Sequence, residues 1–204
     1  MKKTVVAMGG LLAAGTALGQ TVGFDTDTPG TLPAAWEQGV TGKGTARWAV
    51  RQDASAPSQP NVLQQSGSGA FPWCVVRVSS LENGYVEVKL KALAGKEDQA
   101  GGLVWRWKDG DNYYVARANA LEGNVRLYRV VDGDREEFGS ADVPVTAGEW
   151  HTLEASAAGS TLTVSWDGAE VISESDDTFP RGGIGLWSKA DSVTAFDDLE
   201  AVAQ

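Results

Sequence analysis

The chain of 204 residues is poor in the side chains that build metal and redox sites. It contains one cysteine, Cys74, and one histidine, His151. A single cysteine excludes an intramolecular disulfide and a zinc site made of several cysteines, and a single histidine excludes a site with several histidine ligands. Cys74 lies in the apolar run 73–76, so we interpret it as a buried hydrophobic residue rather than a nucleophile.

Positive charge is also scarce. The chain has 17 Lys and Arg residues against 27 Asp and Glu residues, and a formal net charge of −10. A surface that tracks phosphates needs clustered Lys and Arg, so this balance argues against nucleic acid as a partner. In contrast, the chain has 25 glycines and 8 tryptophans, and its 42% hydrophobic residues are typical of a globular protein. Its length is sufficient for one sizeable core.

The beginning of the chain has the pattern of a secretory signal peptide. A positively charged start precedes an uncharged, apolar segment over 4–17, and small residues stand at positions −3 and −1 of a cut before Gln20. This segment is too short for a membrane span, and no later segment approaches the roughly 18 apolar residues that a span needs. We predict a signal peptide over 1–19, one domain over 20–204, and a secreted or periplasmic bacterial protein whose mature form is not in the membrane.

Apolar and polar residues alternate with period two along the rest of the chain. Val86, Val88 and Leu90 alternate with charged residues, which is typical of a half-buried antiparallel strand, and no stretch has helical periodicity. Four dipeptides predict tight hairpins with positive φ angles: 83–84, 109–110, 132–133 and 167–168. The predicted strands are 45–52, 61–66, 73–79, 84–93, 99–107, 112–119, 123–131, 134–140, 149–156, 160–167, 169–175, 181–188 and 192–203. Such a series of short strands predicts an all-β protein, a two-sheet antiparallel sandwich or jelly roll.

Four predicted strands carry polar or aromatic residues on the face opposite the apolar one. If Leu103 and Trp105 point into the core, the alternation turns Arg106 outward. The whole predicted outward set is Arg106, Tyr113, Arg117, Asn119, Arg126, Tyr128, Trp187 and Lys189. Aromatic rings stack on sugar faces and Arg and Asn donate to hydroxyls, so the set predicts a concave groove for a polar ligand. The alternative is an ordinary solvated face with cross-strand aromatic pairs.

The chain resembles the concanavalin A-like lectin/glucanase superfamily in three segments, which read GGLVWRWKDGDNYYVARANALEGNVRLYRVVDG, GEWHTLEASAAGSTLTVSWDGAEV and GGIGLWSKADSVTAFDDLEAV. Within the superfamily it is similar to the laminin-G-like and 3-keto-disaccharide hydrolase group of secreted bacterial proteins, over residues 23–203. The resemblance implies a two-sheet jelly roll whose concave face often binds carbohydrate. Lectins, binding modules, glycosidases and adhesion domains share this fold, so the resemblance alone does not choose the activity.

The acidic residues that hydrolysis needs are poorly placed in the sequence. Glucanases of the superfamily carry an E-x-D-x-x-E-like strand, and the nearest counterpart here, 132–136, contains a turn. Glu122 and Asp191 border the predicted groove and are the best acidic candidates, whereas His151 stands at a strand start and does not fit a triad. We therefore favour an exported carbohydrate-binding protein with a cationic groove for an anionic glycan such as a uronic acid. The alternatives are a hydrolase of 3-keto-glycosides or related sugars, and an envelope structural or adhesion domain.

The resemblance also implies a structural calcium ion, which many members hold between their N-terminal and C-terminal strands. The candidate ligands at these two ends are Asp25, Asp27, Asp197 and Asp198. Ca²⁺ prefers carboxylate and carbonyl oxygens, which chain ends brought together could supply. The alternative is a set of solvated turn acids in an acidic protein, since the chain has no D-x-D-x-D-G loop.

Overall fold

The computed structural model describes residues 20–77 and 79–204, and antiparallel strands dominate it. The predicted signal peptide, 1–19, lies outside the described residues. In the described ranges, no helix combines the length and the apolar character needed to cross a membrane.

The strands form two sheets. Their bounds are β1 (Gln20–Val22), β2 (Trp36–Thr45), β3 (Trp48–Gln52), β4 (Asn61–Gln65), β5 (Ser68–Val76), β6 (Gly84–Ala94), β7 (Ala100–Asp109), β8 (Asn112–Asn119), β9 (Asn124–Val131), β10 (Asp134–Asp142), β11 (His151–Ala158), β12 (Thr161–Trp166), β13 (Ala169–Ser175), β14 (Gly183–Ser188) and β15 (Val193–Ala203). The eight-stranded sheet has the order β13-β12-β11-β6-β15-β4-β3, and β1 pairs with β15. The seven-stranded sheet has the order β10-β9-β8-β7-β14-β5-β2. This is the predicted two-sheet antiparallel jelly roll.

The core lies between the two sheets, and apolar residues from both fill it. Val86, Val88 and Leu90 are buried there, as their alternation predicted. Trp105 of the seven-stranded sheet packs in the same core and is completely buried. Burial of these side chains is the main favourable contribution to folding. Cys74 is also completely buried, and burial raises the pKa of its thiol, which fits its interpretation as a hydrophobic residue.

Two of the four predicted tight turns have the expected backbone. Asp132 and Gly133 have φ angles of 50° and 84° between β9 and β10, and 167–168 has 49° and 83° between β12 and β13. The 109–110 dipeptide also joins neighbouring strands, but neither of its residues has a positive φ. The carboxylate of Asp109 instead accepts a hydrogen bond from the N–H of Asp111, which stabilises a different turn. Gly84 has the predicted positive φ, 123°, but the hairpin predicted at 83–84 is wrong, because the strands before and after it, β5 and β6, belong to different sheets.

Candidate binding site on the outer face of the seven-stranded sheet

The outer face of the seven-stranded sheet points away from the core and carries most of the predicted site residues. The register sets Arg126 beside Arg117, Arg117 beside Gly102, Gly102 beside Trp187 and Trp187 beside Trp73. These residues form one row across β9, β8, β7, β14 and β5. A Cβ at position 102 would lie 2.3 Å from the Ala116 carbonyl oxygen and 2.9 Å from the Arg117 Cβ, so a glycine here lets β7 lie close to β8.

Aromatic side chains on this face form an apolar cluster of their own, which we call the outer cluster. Its buried members are Trp73, Val75, Ala100, Val104, Tyr113, Val115, Tyr128, Val130 and Trp187, and Phe71 and Trp107 pack against them. Tyr113 and Trp187 are 0% exposed and Tyr128 is 4% exposed. Their outward orientation agrees with the sequence analysis, but these three rings are covered and do not form an open stacking surface.

Two hairpin tips cover one end of the outer face. The N–H of Gly133 donates to the carbonyl of Asp111 at 2.9 Å, which joins the β9–β10 tip to the β7–β8 tip. Thr41, on the opposite edge strand β2, donates its hydroxyl to the carbonyl of Gly110 and lies 2.8 Å from the Tyr113 hydroxyl. These contacts connect elements from both edges of the sheet, so the sheet is strongly curved and closed at this end.

Arg135, just after the second tip, lies over the rings of the outer cluster. Its guanidinium carbon is 4.5 Å from the ring centre of Phe71, 4.3 Å from that of Tyr128 and 5.7 Å from that of Trp187. Phe71 stacks on Trp187 with ring centres 5.7 Å apart. Arg135 was not predicted as a site residue, because it lies in 132–136, the segment whose turn argued against a site there. The alternation of the predicted strand 134–140 contains the signal that places Arg135 outward.

Acidic partners neutralise the cations that were predicted on this face. The pairs are Arg117–Glu122 at 2.8 Å, Arg126–Glu137 at 2.9 Å and Lys189–Asp98 at 2.9 Å. Asn119 links two of the pairs, since its Nδ2 donates to Asp98 at 2.6 Å and to Glu122 at 3.0 Å. The predicted residues Arg117, Asn119, Arg126 and Lys189 therefore belong to one polar network.

The two acidic catalytic candidates lie in environments that keep them ionised. Burial opposes ionisation of Glu122, but the hydrogen bond and charge of Arg117 outweigh burial and lower the pKa of the carboxyl. Asp191 accepts the backbone N–H groups of Lys96, Glu97 and Asp98, and these hydrogen bonds lower its pKa. A general acid needs a raised pKa, so neither environment suits that role.

Arg106 does not lie on the outer face, and its predicted outward orientation is wrong. A β-bulge interrupts β7, and Arg106 adopts a φ of 49° there. Its side chain turns to the core side, where main-chain carbonyls of Glu82, Phe179 and Gly159 accept from the guanidinium at 2.7–3.1 Å. Trp107 takes the outward position instead and packs against the outer cluster.

His151 supports a loop. Its Nε2 accepts the N–H of Thr146 at 3.1 Å, its Nδ1 lies 2.8 Å from a carboxylate oxygen of Asp167, and its ring stacks on Trp166 with centres 4.7 Å apart. Both ring nitrogens are therefore occupied by contacts within the protein, as its position at a strand start suggested.

The four acidic residues predicted as calcium ligands do not form one cluster. Asp197 is completely buried, and Ser58 donates both its N–H and its hydroxyl to the Asp197 carboxylate. Burial raises the pKa of Asp197 to about 6. Asp25 instead accepts the N–H of Asn61 at 3.1 Å. Within residues 20–77 and 79–204, no group of three Asp, Glu, His or Cys side chains is placed to hold a metal ion.

Main-chain oxygens around Asn61 offer another arrangement for a cation. The Nδ2 of Asn61 donates to the carbonyls of Phe24, Asp25 and Asp27 at 3.2, 3.2 and 3.3 Å, whereas its Oδ1 is buried without a partner. A half-turn of the amide would place Oδ1 among three carbonyl oxygens, and oxygen ligands of this kind suit Ca²⁺. The residues thus fit calcium through carbonyl oxygens rather than through the four predicted carboxylates.

An open cleft adjoins the outer cluster at Phe71. Its volume is about 450 Å³, and Lys43, Glu97 and Lys189 line it together with small residues at 68–70. This volume lies within the range of small-molecule sites. Phe71 belongs to both the cleft and the ring stack, so a ligand in the cleft would contact the half-buried edge of the outer cluster.

Comparison with known proteins identifies the fold. No family model and no curated protein matches the chain. The carbohydrate-binding module CBM66 from Bacillus subtilis matches with a TM-score of 0.67 and 20% identity, covering 83% of this chain and 94% of that chain. A β-1,3-1,4-glucanase (lichenase) derived from a mouse hindgut metagenome matches with a TM-score of 0.56 and 15% identity, covering 92% and 99%. A Bacillus licheniformis β-glucanase matches with a TM-score of 0.55 and 12% identity, covering 94% and 100%.

These likenesses show that the chain has the concanavalin A-like jelly-roll fold, which confirms the fold that the resemblance implies. At these identities the likeness concerns the fold, and one fold can carry both binding and hydrolysis.

Proposed function

We propose that the protein is an exported carbohydrate-binding protein that holds a glycan in the cleft beside Phe71. One observation carries the proposal: the ring stack of the outer cluster reaches a cleft of about 450 Å³ that two lysines, Lys43 and Lys189, flank. An aromatic ring can pack against the C–H face of a sugar, while ammonium groups donate to its hydroxyl or carboxylate oxygens. The likeness to a carbohydrate-binding module supports this reading, and the pattern of 1–19 supports export.

An acidic sugar such as a uronic acid is the ligand class that we favour. Lys43 and Lys189 line the cleft, and Arg135 lies on the face of Phe71. Glu97 is the acidic residue among the cleft residues. Asp98 neutralises Lys189, but Lys43 and Arg135 form no ion pair with the described residues. These two cations outnumber Glu97, so a carboxylate on the ligand would be attracted to this part of an otherwise acidic protein.

Hydrolysis has less support than binding. The carboxylates of the outer face, Glu122, Glu137 and Asp98, each contact a cation within 2.9 Å. Glu97 is the single acidic side chain that lines the cleft, whereas a glycosidase uses a pair of carboxyl groups. A glycosidase needs one carboxyl group whose pKa is high enough to donate a proton. The carboxyl groups with raised pKa values are Asp27, Glu154 and Asp197, and each of them lies away from this face.

The test is binding of the purified mature protein to an array of neutral and acidic glycans, with parallel analysis for reaction products. We expect binding without products. Phe71→Ala should weaken binding at least about tenfold, as expected for loss of a stacking ring. Tyr85→Ala is the matched control, because Tyr85 is a partly exposed ring on β6 of the other sheet. Near-UV circular dichroism checks that both variants keep the native fold.

Other results would change the assignment. Glycan-derived products formed by the wild-type protein would favour the hydrolase of 3-keto-glycosides or related sugars. Neither binding nor products would favour an envelope structural or adhesion role. Binding that Phe71→Ala and Tyr85→Ala leave equally strong would place the sugar elsewhere on the protein.

A further inference from the structure

One cation of the outer face, Arg135, has no acidic partner among residues 20–77 and 79–204. Arg117, Arg126 and Lys189 each contact a carboxylate at 2.8 or 2.9 Å. Arg135, in contrast, forms no ion pair and no side-chain hydrogen bond with any residue in the described part of the chain. Its contacts are the faces of aromatic rings, so no carboxylate in the described residues touches its positive charge.

The environment of Arg135 makes this lack of partners costly. Arg135 is partly exposed and its guanidinium packs on Phe71 and Tyr128, whereas its Nη1 is buried with no acceptor among the described residues. Burial lowers the pKa of the Arg135 guanidinium. A buried donor without an acceptor loses the hydrogen bond that it had with water. Cation–π contacts offset part of that loss, but they supply no hydrogen-bond acceptor.

Other unsatisfied groups on this face are also donors. Arg117 Nε, Arg126 Nε, Trp73 Nε1 and Trp107 Nε1 are buried without acceptors. All of these atoms are hydrogen-bond donors, so the unsatisfied polarity of this face has the same sign as the charge of Arg135. Sugar hydroxyls accept hydrogen bonds, and a carboxylate accepts more strongly and also neutralises charge.

We propose that Arg135 recognises the carboxylate of an acidic sugar and determines the preference of the site for acidic over neutral glycans. The inference rests on the proposed glycan-binding function and deepens it by naming the specificity-determining residue. Nη1 is buried, but Nε and Nη2 are not among the buried unsatisfied atoms, and this edge of the planar guanidinium can bind a carboxylate with two parallel hydrogen bonds. Packing on Phe71 and Tyr128 restricts the side chain, so less conformational entropy is lost on binding. Phe71 connects Arg135 to the cleft, where the ring of the same sugar would lie.

The neighbouring cations are less suited to this role. Arg117 is 1% exposed and already forms an ion pair with Glu122. Lys189 already forms an ion pair with Asp98. Breaking that pair would cost about as much free energy as the contact with a ligand carboxylate would gain. Arg135 can bind an anion without first losing a partner, and this property distinguishes it from the predicted Arg117.

The experiment compares matched pairs of oligosaccharides that differ only in charge. The probes are oligogalacturonate, oligoglucuronate and oligomannuronate, each measured by calorimetry beside its carboxyl-reduced neutral form. We expect the wild-type protein to bind at least one acidic form about tenfold or more tightly than its reduced form, as one charge-assisted contact allows. Arg135→Gln should abolish that preference and leave affinity for the reduced form unchanged. Arg135→Lys should keep part of the preference for the acidic form, because the positive charge remains. The rest of the preference should be lost, because lysine lacks the planar guanidinium.

Arg51→Gln is the matched control, since it removes one positive charge from β3 in the other sheet. It should preserve the acidic preference. Near-UV circular dichroism of Arg135→Gln verifies the fold, and Arg135→Lys provides a second reading if the glutamine variant is unstable.

Each other outcome counts against the inference in a recognisable way. Arg135 does not determine specificity if Arg135→Gln retains the wild-type preference, or if it lowers the affinities for the acidic and reduced forms equally. Either result would leave the proposed glycan-binding function unaffected. If the wild-type protein prefers reduced forms, the ligand class is wrong. If it binds no glycan in either form, both the proposed function and this inference are overturned.

Discussion

Replacing Glu122 with glutamine tests whether this carboxylate is a counterion or a catalytic acid. It lies 2.8 Å from Arg117 Nη2 and 3.4 Å from Arg126 Nη2. The other hydrogen-bond partners of Arg117 are neutral: Asn124 Oδ1 at 2.6 Å and the Tyr128 hydroxyl at 3.2 Å. Glu122→Gln preserves the shape and removes the charge, so a guanidinium that is 1% exposed loses its counterion.

The magnitude follows from the distance and from the exposure of the two side chains. Two unit charges 2.8 Å apart attract by about 6 kcal/mol at an effective dielectric constant of about 20 and by about 1.5 kcal/mol in bulk water. The Glu122 side chain is 32% exposed, so screening by solvent moves the loss towards the smaller value. Glutamine also retains one acceptor. We expect the free energy of unfolding to fall by about 2 kcal/mol.

Urea unfolding followed by tryptophan fluorescence measures this loss. With a denaturant slope of about 2 kcal/mol per molar urea, the midpoint should fall by about 1 M at pH 7. Because the pKa of Glu122 is lowered in the folded state, its stabilisation is present above the ordinary value of 4.5 and disappears as the pH falls through the folded-state pKa. The difference between wild-type protein and variant should therefore shrink in acid.

Glu136→Gln is the matched control, because Glu136 is 64% exposed and pairs with Arg129 at the surface. That variant should lose less than about 0.5 kcal/mol. Equal losses in the two variants, or a negligible loss in Glu122→Gln, would refute the counterion role. If the wild-type protein hydrolyses a glycan and a correctly folded Glu122→Gln does not, the carboxylate is catalytic.

Two further predictions concern the region between the chain ends. Adding Ca²⁺ to chelator-treated protein should raise the Tm. Asn61→Leu removes the amide oxygen that lies beside three main-chain carbonyls, so this variant should not show the rise. A wild-type Tm that does not change with Ca²⁺ would exclude the site. In the presence of chelator, ionisation of Asp197 should destabilise the fold, because its pKa is about 6 rather than the ordinary 3.8. The stabilisation that the protonated carboxyl provides is fully present below pH 3.8 and is lost as the pH rises through about 6. This change of about 3 kcal/mol should disappear from the pH profile of urea unfolding in Asp197→Asn. A profile that Asp197→Asn leaves unchanged would contradict the raised pKa.

The regular strands could be predicted from the sequence because burial of one face imposes alternation directly. Val86, Val88 and Leu90 show this in β6. The edge strand β2 was missed, and the predicted strand 45–52 joins its end to β3. Most side chains of β2 are exposed or partly exposed, and main-chain pairing with β5 holds it in place. Such a strand leaves little alternation in the sequence.

The orientation of site residues was predictable only where the strands are regular. Tyr113 points outward and Tyr114 inward, as alternation requires. Arg106 departs from it because a bulge changes the backbone at that residue, and a non-glycine residue with positive φ gives no warning in the sequence. Arg106 then satisfies its donors with main-chain carbonyls, which carry no sequence signal.

The covering of the outer face depends on contacts between distant parts of the chain. Thr41 and Tyr113 are 72 positions apart, yet their hydroxyls lie 2.8 Å apart. Arg135 reaches the ring of Phe71 from the opposite side of the sheet order. Period-two patterns specify which side of a strand a residue faces, but not how far the sheet curves, so the burial of Trp187 could not be inferred from them.

The charge pairs of the outer face connect these observations to function. A carboxylate that neutralises a buried arginine has a lowered pKa, and the same contact that makes it a good counterion makes it a poor proton donor. Glu122 would have to release Arg117 before it could protonate a leaving group, and Arg117 would then be buried without a counterion. Arg135 carries no such commitment. The arrangement therefore opposes acid catalysis at Glu122 and favours capture of an anion at Arg135, and the two substitutions Glu122→Gln and Arg135→Gln separate these roles.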